Sequence, residues 1–127
     1  MIAGVGTDII RVERIKRLLL NYPHFVDKVF TTGEIEYCSG KASPEQSYAV
    51  RFSAKEAVMK ALGTGWNGTV NWKDIEIVYD EQGKPEILAY NGTRELLDQL
   101  EVSAIHVSLS HEKEYAVAFV VLERQKT

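Results

Sequence analysis

The stretch Arg51-Phe52-Ser53-Ala54-Lys55-Glu56-Ala57-Val58-Met59-Lys60-Ala61-Leu62, closed by Gly63-Thr64-Gly65, narrows the folds open to this chain more than any other. It is rich in alanine, holds no glycine or proline, and stops at a glycine suited to a left-handed cap, so it predicts a helix. At about 100° per residue, Val50, Ala54, Ala57, Val58 and Ala61 share one arc, the predicted buried face. Glu56 and Lys60 stand one turn apart on another side, and Arg51 and Lys55 form a third, charged cluster. A core face made mostly of alanine lets neighbouring elements come close, so the charged flanks need not be far from them. Taken alone, a Glu–Lys pair at i, i+4 is an ordinary surface pair worth about 0.3–0.5 kcal/mol. Spacing by itself favours that plain reading.

At 127 residues the chain suits one domain, 1–127, with a real core, and is too short for two. A net charge of −3 does not suggest nonspecific nucleic-acid binding, which calls for a basic balance. Cys38 is the single cysteine, which excludes an intrachain disulfide and fits a reducing cytoplasm; its plain reading is a small, half-buried helix residue. The apolar start Met1–Val5 lacks a basic segment and is broken by Asp8, so no signal peptide is expected. No run approaches transmembrane length, so no membrane partner is expected.

Ile2 to Ile10 reads as a strand. Its Gly4-x-Gly6 is not a dinucleotide fingerprint, because Ile9 stands where the third glycine belongs. Asp8, near the strand's end, has a plain reading as a helix cap, although Arg11 at the third position onward rules out a capping box. Val12 to Leu20 predicts an amphipathic helix with Val12, Ile15 and Leu19 inward and Arg14 and Arg17 on another face. Residues 11–28 hold five basic side chains against two acidic ones, whereas 71–101 hold three against eight, so the first helix is locally basic in an acidic chain. Such a face is usually only solvated; its sharper reading is a dock for an acidic partner.

A short helix over Phe25–Val29 follows Pro23. Thr32 is a candidate cap for a helix running through Cys38 to Gly40, and Ser43-Pro44 opens the long helix. The loop from Gly63 to Asn71 has no Gly-Lys-[Ser/Thr], so it is no phosphate-binding P-loop; Trp66 and Trp72 are expected to cover the core. Ile75/Ile77/Tyr79 and Glu86–Tyr90 predict a hairpin about Asp80-Glu81-Gln82-Gly83, and Thr93–Leu100 a short helix. Ile105/Val107/Leu109 alternate with His106, Ser108 and Ser110, and the nearly continuous apolar run Tyr115–Leu122 predicts a strand covered on both faces. Strands with segregated helices make the class α+β.

Gly6-Thr7-Asp8, the helix Arg51-Phe52-Ser53-Ala54-Lys55-Glu56 with Lys60-Ala61, and Val107-Ser108-Leu109-Ser110-His111 occur in this order and at this chain length. With Met1–Asp8, Lys84-Pro85 and His111–Glu123, they closely resemble the holo-acyl-carrier-protein synthase type of 4'-phosphopantetheinyl transferase, over essentially the whole chain. Each motif alone is weak, but the ordered set is specific. The resemblance implies a small antiparallel sheet on a long central helix, with three subunits sharing coenzyme A sites in the clefts between them. It also implies transfer of phosphopantetheine from coenzyme A to a serine of apo acyl carrier protein, with adenosine 3',5'-bisphosphate leaving, in fatty acid biosynthesis.

By the same resemblance Asp8 and Glu56 bind Mg2+, which holds the diphosphate of coenzyme A, with Lys60 stabilising charge on the phosphates. Mg2+ commonly takes only one or two protein carboxylates and fills its shell with water and phosphate oxygens. A related subgroup has a third acid two positions after the aspartate; here that position is Ile10. Arg51, Lys55, Lys60, Pro85 and His111 match coenzyme A contacts, His111 reaching the site of a neighbouring subunit. Arg14 matches a contact to the acidic carrier protein. The base that activates the serine stays open between Glu56 and a metal-bound water. Glu112 departs from the hydroxyl residue usual after this histidine, so either it turns away into the hairpin or that contact is lost. Two other classes stay open on the residues alone: a carrier-binding module without catalysis, and a Mg2+-dependent hydrolase of nucleotide diphosphates.

Overall fold

The computed structural model describes residues 1–63 and 70–125. Trp66, expected to cover the core, lies outside the described residues. Strand β1 (Ile2–Arg11) leads into helices α1 (Val12–Asn21), α2 (Phe25–Val29), α3 (Thr32–Ser39) and the long α4 (Pro44–Leu62). A 3-10 turn at Trp72–Asp74 precedes the hairpin β2 (Ile75–Tyr79) and β3 (Pro85–Ala89), and then come α5 (Asn91–Gln99), β4 (Val102–His111) and β5 (Tyr115–Arg124). All strand pairs are antiparallel: β2 with β3 in one sheet, and β1-β5-β4 in the other. The α+β class and the sheet on a long central helix match expectation.

The chemistry of the ends explains the boundaries. Pro44 sits in the first turn of α4, and Gly63, with φ 75°, closes it, its N–H donating to the Met59 and Lys60 carbonyls. The cap of α3 is Thr31, not Thr32. Its hydroxyl accepts from the Glu34 N–H while Glu34 accepts from the Thr31 N–H, a capping box that reading from Thr32 passes over. Around the β2–β3 turn, the Asp80 carboxylate accepts from the Gln82 and Lys84 amides.

Helix α4 lies between two apolar clusters. Ala54, Ala57, Val58 and Met59 pack with Ile75, Ala118, Val120 and Leu122, while Tyr48, Ala49, Val50 and Phe52 pack with Ile15, Phe30, Cys38 and Ala116. The helix is therefore buried nearly all round, well beyond the single predicted arc. Cys38 is wholly buried rather than half-buried, and burial pushes its thiol pKa up to about 11. Strand β5 is covered on one face only. Ala116, Ala118, Val120 and Leu122 point at α4, but Phe119 on the opposite face is 47% exposed, and Val5, Ile9 and Val117 share that open face.

The charged cluster Arg51–Lys55 is interior. Lys55 Nζ makes a 2.8 Å ion pair with Glu34 Oε1, both side chains fully buried, and also donates to the carbonyls of Trp72 and Ile75. The other Glu34 oxygen accepts from the Ile77 amide at 3.0 Å. This one pair thus joins α3, α4 and β2. Burial lowers the Lys55 pKa, and Glu34 opposes that shift. Replacing Lys55 with Met strands the Glu34 charge in the core, so chemical denaturation should show a loss of about 3–5 kcal/mol. Adding Glu34→Gln to that variant should recover part of the loss.

Candidate active site

The end of β1 lies on α4 through a row of small residues. Along the helix Ser53, Ala57 and Ala61 advance about 6 Å per four residues, and along the strand Asp8, Gly6 and Gly4 retreat about 6.6 Å per pair of residues. The two steps nearly match, so three positions stay in register. The Ser53 hydroxyl donates to the Asp8 carbonyl at 2.9 Å, and a Cβ on Gly6 would overlap the Ala57 carbonyl, as one on Gly4 would overlap that of Ala61. Without those two glycines the strand could not lie this close to the helix.

That approach sets Asp8 beside Glu56 and Lys60, residues about fifty positions away in the chain. Lys60 Nζ donates to Asp8 Oδ1 at 3.1 Å and to the Thr7 carbonyl at 3.1 Å. The Asp8 side chain is mostly covered, while that of Lys60 is 54% exposed. The Glu56 carboxyl is held above its ordinary pKa, first by partial burial and then by the negative charge of Asp8, with Lys60 and Arg14 pulling it down. Two carboxylates close enough for one to raise the other's proton affinity, open to solvent on one side, form a donor set suited to a small divalent cation. No group of three or more His, Cys, Asp or Glu suited to a metal occurs among the described residues. A cation here would draw the rest of its shell from water or a ligand.

Other predicted residues lie elsewhere. His111 ends β4, with Nδ1 donating to Gln46 Oε1 at 3.1 Å. Because β5 separates β4 from β1, His111 stands about 10 Å to the side of the Asp8 strand and does not join Asp8 within the chain. Pro85 opens β3 and lines, with Lys84, Arg94 and His106, a groove of about 620 Å³ between β3 and β4. Glu112 turns into the β4–β5 hairpin, where Oε1 accepts from the amides of Glu114 and Tyr115 at 2.8 and 2.7 Å. Its carboxylate is committed to the turn.

Lys55, expected from the resemblance to contact coenzyme A, is buried in the core of the chain. All three of its ammonium donors are used in the core, by Glu34, Trp72 and Ile75. Arg51 is also buried, against expectation for a ligand contact; its Nη1 donates to the Ser47 carbonyl at 3.3 Å, but the guanidinium is only partly satisfied. Its guanidinium lies 4.3 Å from the Tyr37 ring centre and 5.0 Å from that of Tyr79, Nε has no hydrogen-bond partner, and no carboxylate pairs with it among the described residues. Sequence reasoning passed over Ser53 and Thr7 as site residues. A serine in register with two alanines, facing an aspartate in register with two glycines, was the available signal.

The chain matches the family described as the 4'-phosphopantetheinyl transferase superfamily over residues 4–120. It belongs to that superfamily. A holo-[acyl-carrier-protein] synthase from a Geobacter species is 47% identical over 125 residues, covering 98% of this chain and 100% of the relative. Among solved structures, the holo-[acyl-carrier-protein] synthase of Neisseria meningitidis superposes with a TM-score of 0.90 at 36% identity, covering 98% of this chain and 100% of that one. The Bacillus anthracis synthase, solved in complex with coenzyme A (3',5'-ADP), gives 0.83 at 38% identity and covers 98% and 99%.

A carboxyl group with a raised pKa binds a proton more tightly folded than unfolded. Glu56 therefore contributes stability to the metal-free transferase at low pH, and that contribution is lost as pH rises through its folded pKa. Carbon-13 NMR titration of the side chain should find its midpoint above the ordinary glutamate range, and Asp8→Asn should move the midpoint down.

Proposed function

We propose that this chain transfers the 4'-phosphopantetheine group of coenzyme A to a serine of apo acyl carrier protein, releasing adenosine 3',5'-bisphosphate, as a cytoplasmic step in fatty acid biosynthesis. The whole of residues 1–127 acts as one such unit. The observation that carries the reading is the meeting of Asp8, Glu56 and Lys60, from two remote segments, in a chain whose near full-length relatives bear the synthase name.

Asp8 and Glu56 would hold Mg2+. When bound, the ion supplies Lewis-acid charge to the diphosphate oxygens of coenzyme A. The chain's own task is alignment and charge. Lys60, with an exposed ammonium one turn from Glu56, swings from Asp8 toward the phosphate and offsets charge building on the leaving oxygen. Arg51 and Lys41 both lie 4.3 Å from the Tyr37 ring centre, and the charge of Arg51, with no carboxylate partner among the described residues, suits the 3'-phosphate of the same ligand. Arg14, on the basic first helix, is near enough for Glu56 to feel its charge. A carrier docked on that face would therefore present its serine close to the carboxylate pair.

The active form is a homotrimer with shared sites. The open sheet face carrying Val5, Ile9, Val117 and Phe119 is apolar enough to be covered by other copies. His111, which does not reach its own Asp8, would then serve a neighbouring site, where a ring carrying protons on both nitrogens donates from Nε2 to phosphate while Nδ1 donates to Gln46.

Incubation with coenzyme A, Mg2+ and apo carrier protein should add one phosphopantetheine to the carrier by mass spectrometry. Asp8→Asn and Glu56→Gln should each lower kcat by about 100-fold or more with circular dichroism unchanged. Cleavage of coenzyme A with no carrier present would point to a hydrolase instead, and carrier binding without any mass gain to a docking module.

Subunit sharing has its own test. Asp8→Asn and His111→Ala chains, each impaired alone, should recover activity when unfolded and refolded together, because mixed trimers contain some sites with both residues intact. No recovery, or a fully active monomer by light scattering, would remove the shared site.

A further inference from the structure

We propose that Ser53 is a positioning residue that sets Asp8 at the height of Glu56, an assignment that rests on the metal reading above. Ser53 is fully buried, and its hydroxyl donates to the Asp8 main-chain carbonyl at 2.9 Å. The same row of α4 is filled by Ala57 and Ala61, so close packing against β1 asks only for a small side chain and not for a hydroxyl. The hydroxyl adds direction. Contacts between flat, small surfaces resist separation but let one element slide along the other, whereas a hydrogen bond to one carbonyl fixes the register.

The other polar tie between α4 and the end of β1 is Lys60, which bonds the Thr7 carbonyl and the Asp8 carboxylate. That side chain is more than half exposed and is needed at the phosphate. Once Lys60 turns to a ligand, Ser53 is the tie that remains among the described residues. It acts from three positions before Glu56, on the rigid middle of the helix, so both carboxylates are referred to one backbone. Ser53 touches no substrate; it acts through the Asp8 backbone.

The experiment is Mn2+ binding to the full chain with saturating coenzyme A, followed by electron paramagnetic resonance. Ser53→Ala should weaken Mn2+ by about ten- to a hundredfold, the range usual for lost support behind a metal ligand, while coenzyme A affinity measured without metal stays unchanged. Ser53→Cys, of similar size but a weaker donor, should fall between parent and Ser53→Ala, and it carries the test if the alanine variant fails to fold. Ser39→Ala, which removes the hydroxyl of an exposed residue 3.2 Å from the hydroxyl of the buried Tyr48 and remote from β1, should alter melting temperature and leave Mn2+ binding as in the parent. Parental Mn2+ affinity in both Ser53 variants overturns the proposal, as does an equal loss in Ser39→Ala, which would mark the effect as general destabilisation. Asp8→Asn tests the underlying reading separately: if it binds Mn2+ as tightly as the parent, the metal assignment falls and the Ser53 proposal with it.

Discussion

Everything at the site depends on how closely β1 can lie on α4. A hydrogen atom in place of a side chain at Gly4 and Gly6 lets the strand backbone rest on the carbonyls of Ala61 and Ala57, where a Cβ would overlap them. Such contact is compatible with a regular helix and a regular strand only because four helical residues and two extended ones span nearly the same distance. The result is a rigid junction between segments far apart in sequence, and the Asp8 carboxylate leaves it at the first position where the strand again carries a polar side chain toward the helix. Two like charges are thereby held together by packing they did not contribute to. Burial first, and the charge of Asp8 second, raise the Glu56 pKa, so the pair is suited to binding a cation or a proton.

Much of this was legible in the residues. The elements were found because their ends carry strong chemical marks: Pro44 at the start of α4, Gly63 with positive φ at its end, and Gly83 in the β2–β3 turn. Asp8, Glu56 and Lys60 could be grouped from the sequence because the ordered motifs resemble a known family; their spacing alone could not distinguish a site from a solvated pair. What failed was the treatment of charge as a marker of surface. Arg51 and Lys55 looked like a flank because isolated positive side chains rarely go inside. Lys55 goes inside because Glu34 is carried to it by a separate helix and because two main-chain carbonyls complete its shell. Neither partner is visible in the local sequence, since both come from tertiary packing.

The same limit explains β5. A run of apolar residues without alternation predicts a strand covered on both faces, yet one protomer covers only the side bearing Ala116, Ala118, Val120 and Leu122. The expectation came from composition, and composition does not say which chain provides the cover. In the proposed trimer the exposed Phe119 and Val117 fit the pattern rather than break it: residues suited to burial on both sides are half-buried when one copy is considered alone.

Two features that look unrelated then follow from the strand order β1-β5-β4. Placing β5 in the middle separates His111 from Asp8 by a full strand, so the histidine does not complete the site of its own chain, and it leaves the outer face of β1 and β5 open and apolar. In the proposed assembly, the copy that covers that face would also be the one to supply the histidine that the carboxylate pair lacks. Burial of the sheet and completion of the phosphate site would then be one event. A chain that dissociated would lose both together, so assembly itself would guard a reactive diphosphate site from forming in a lone subunit.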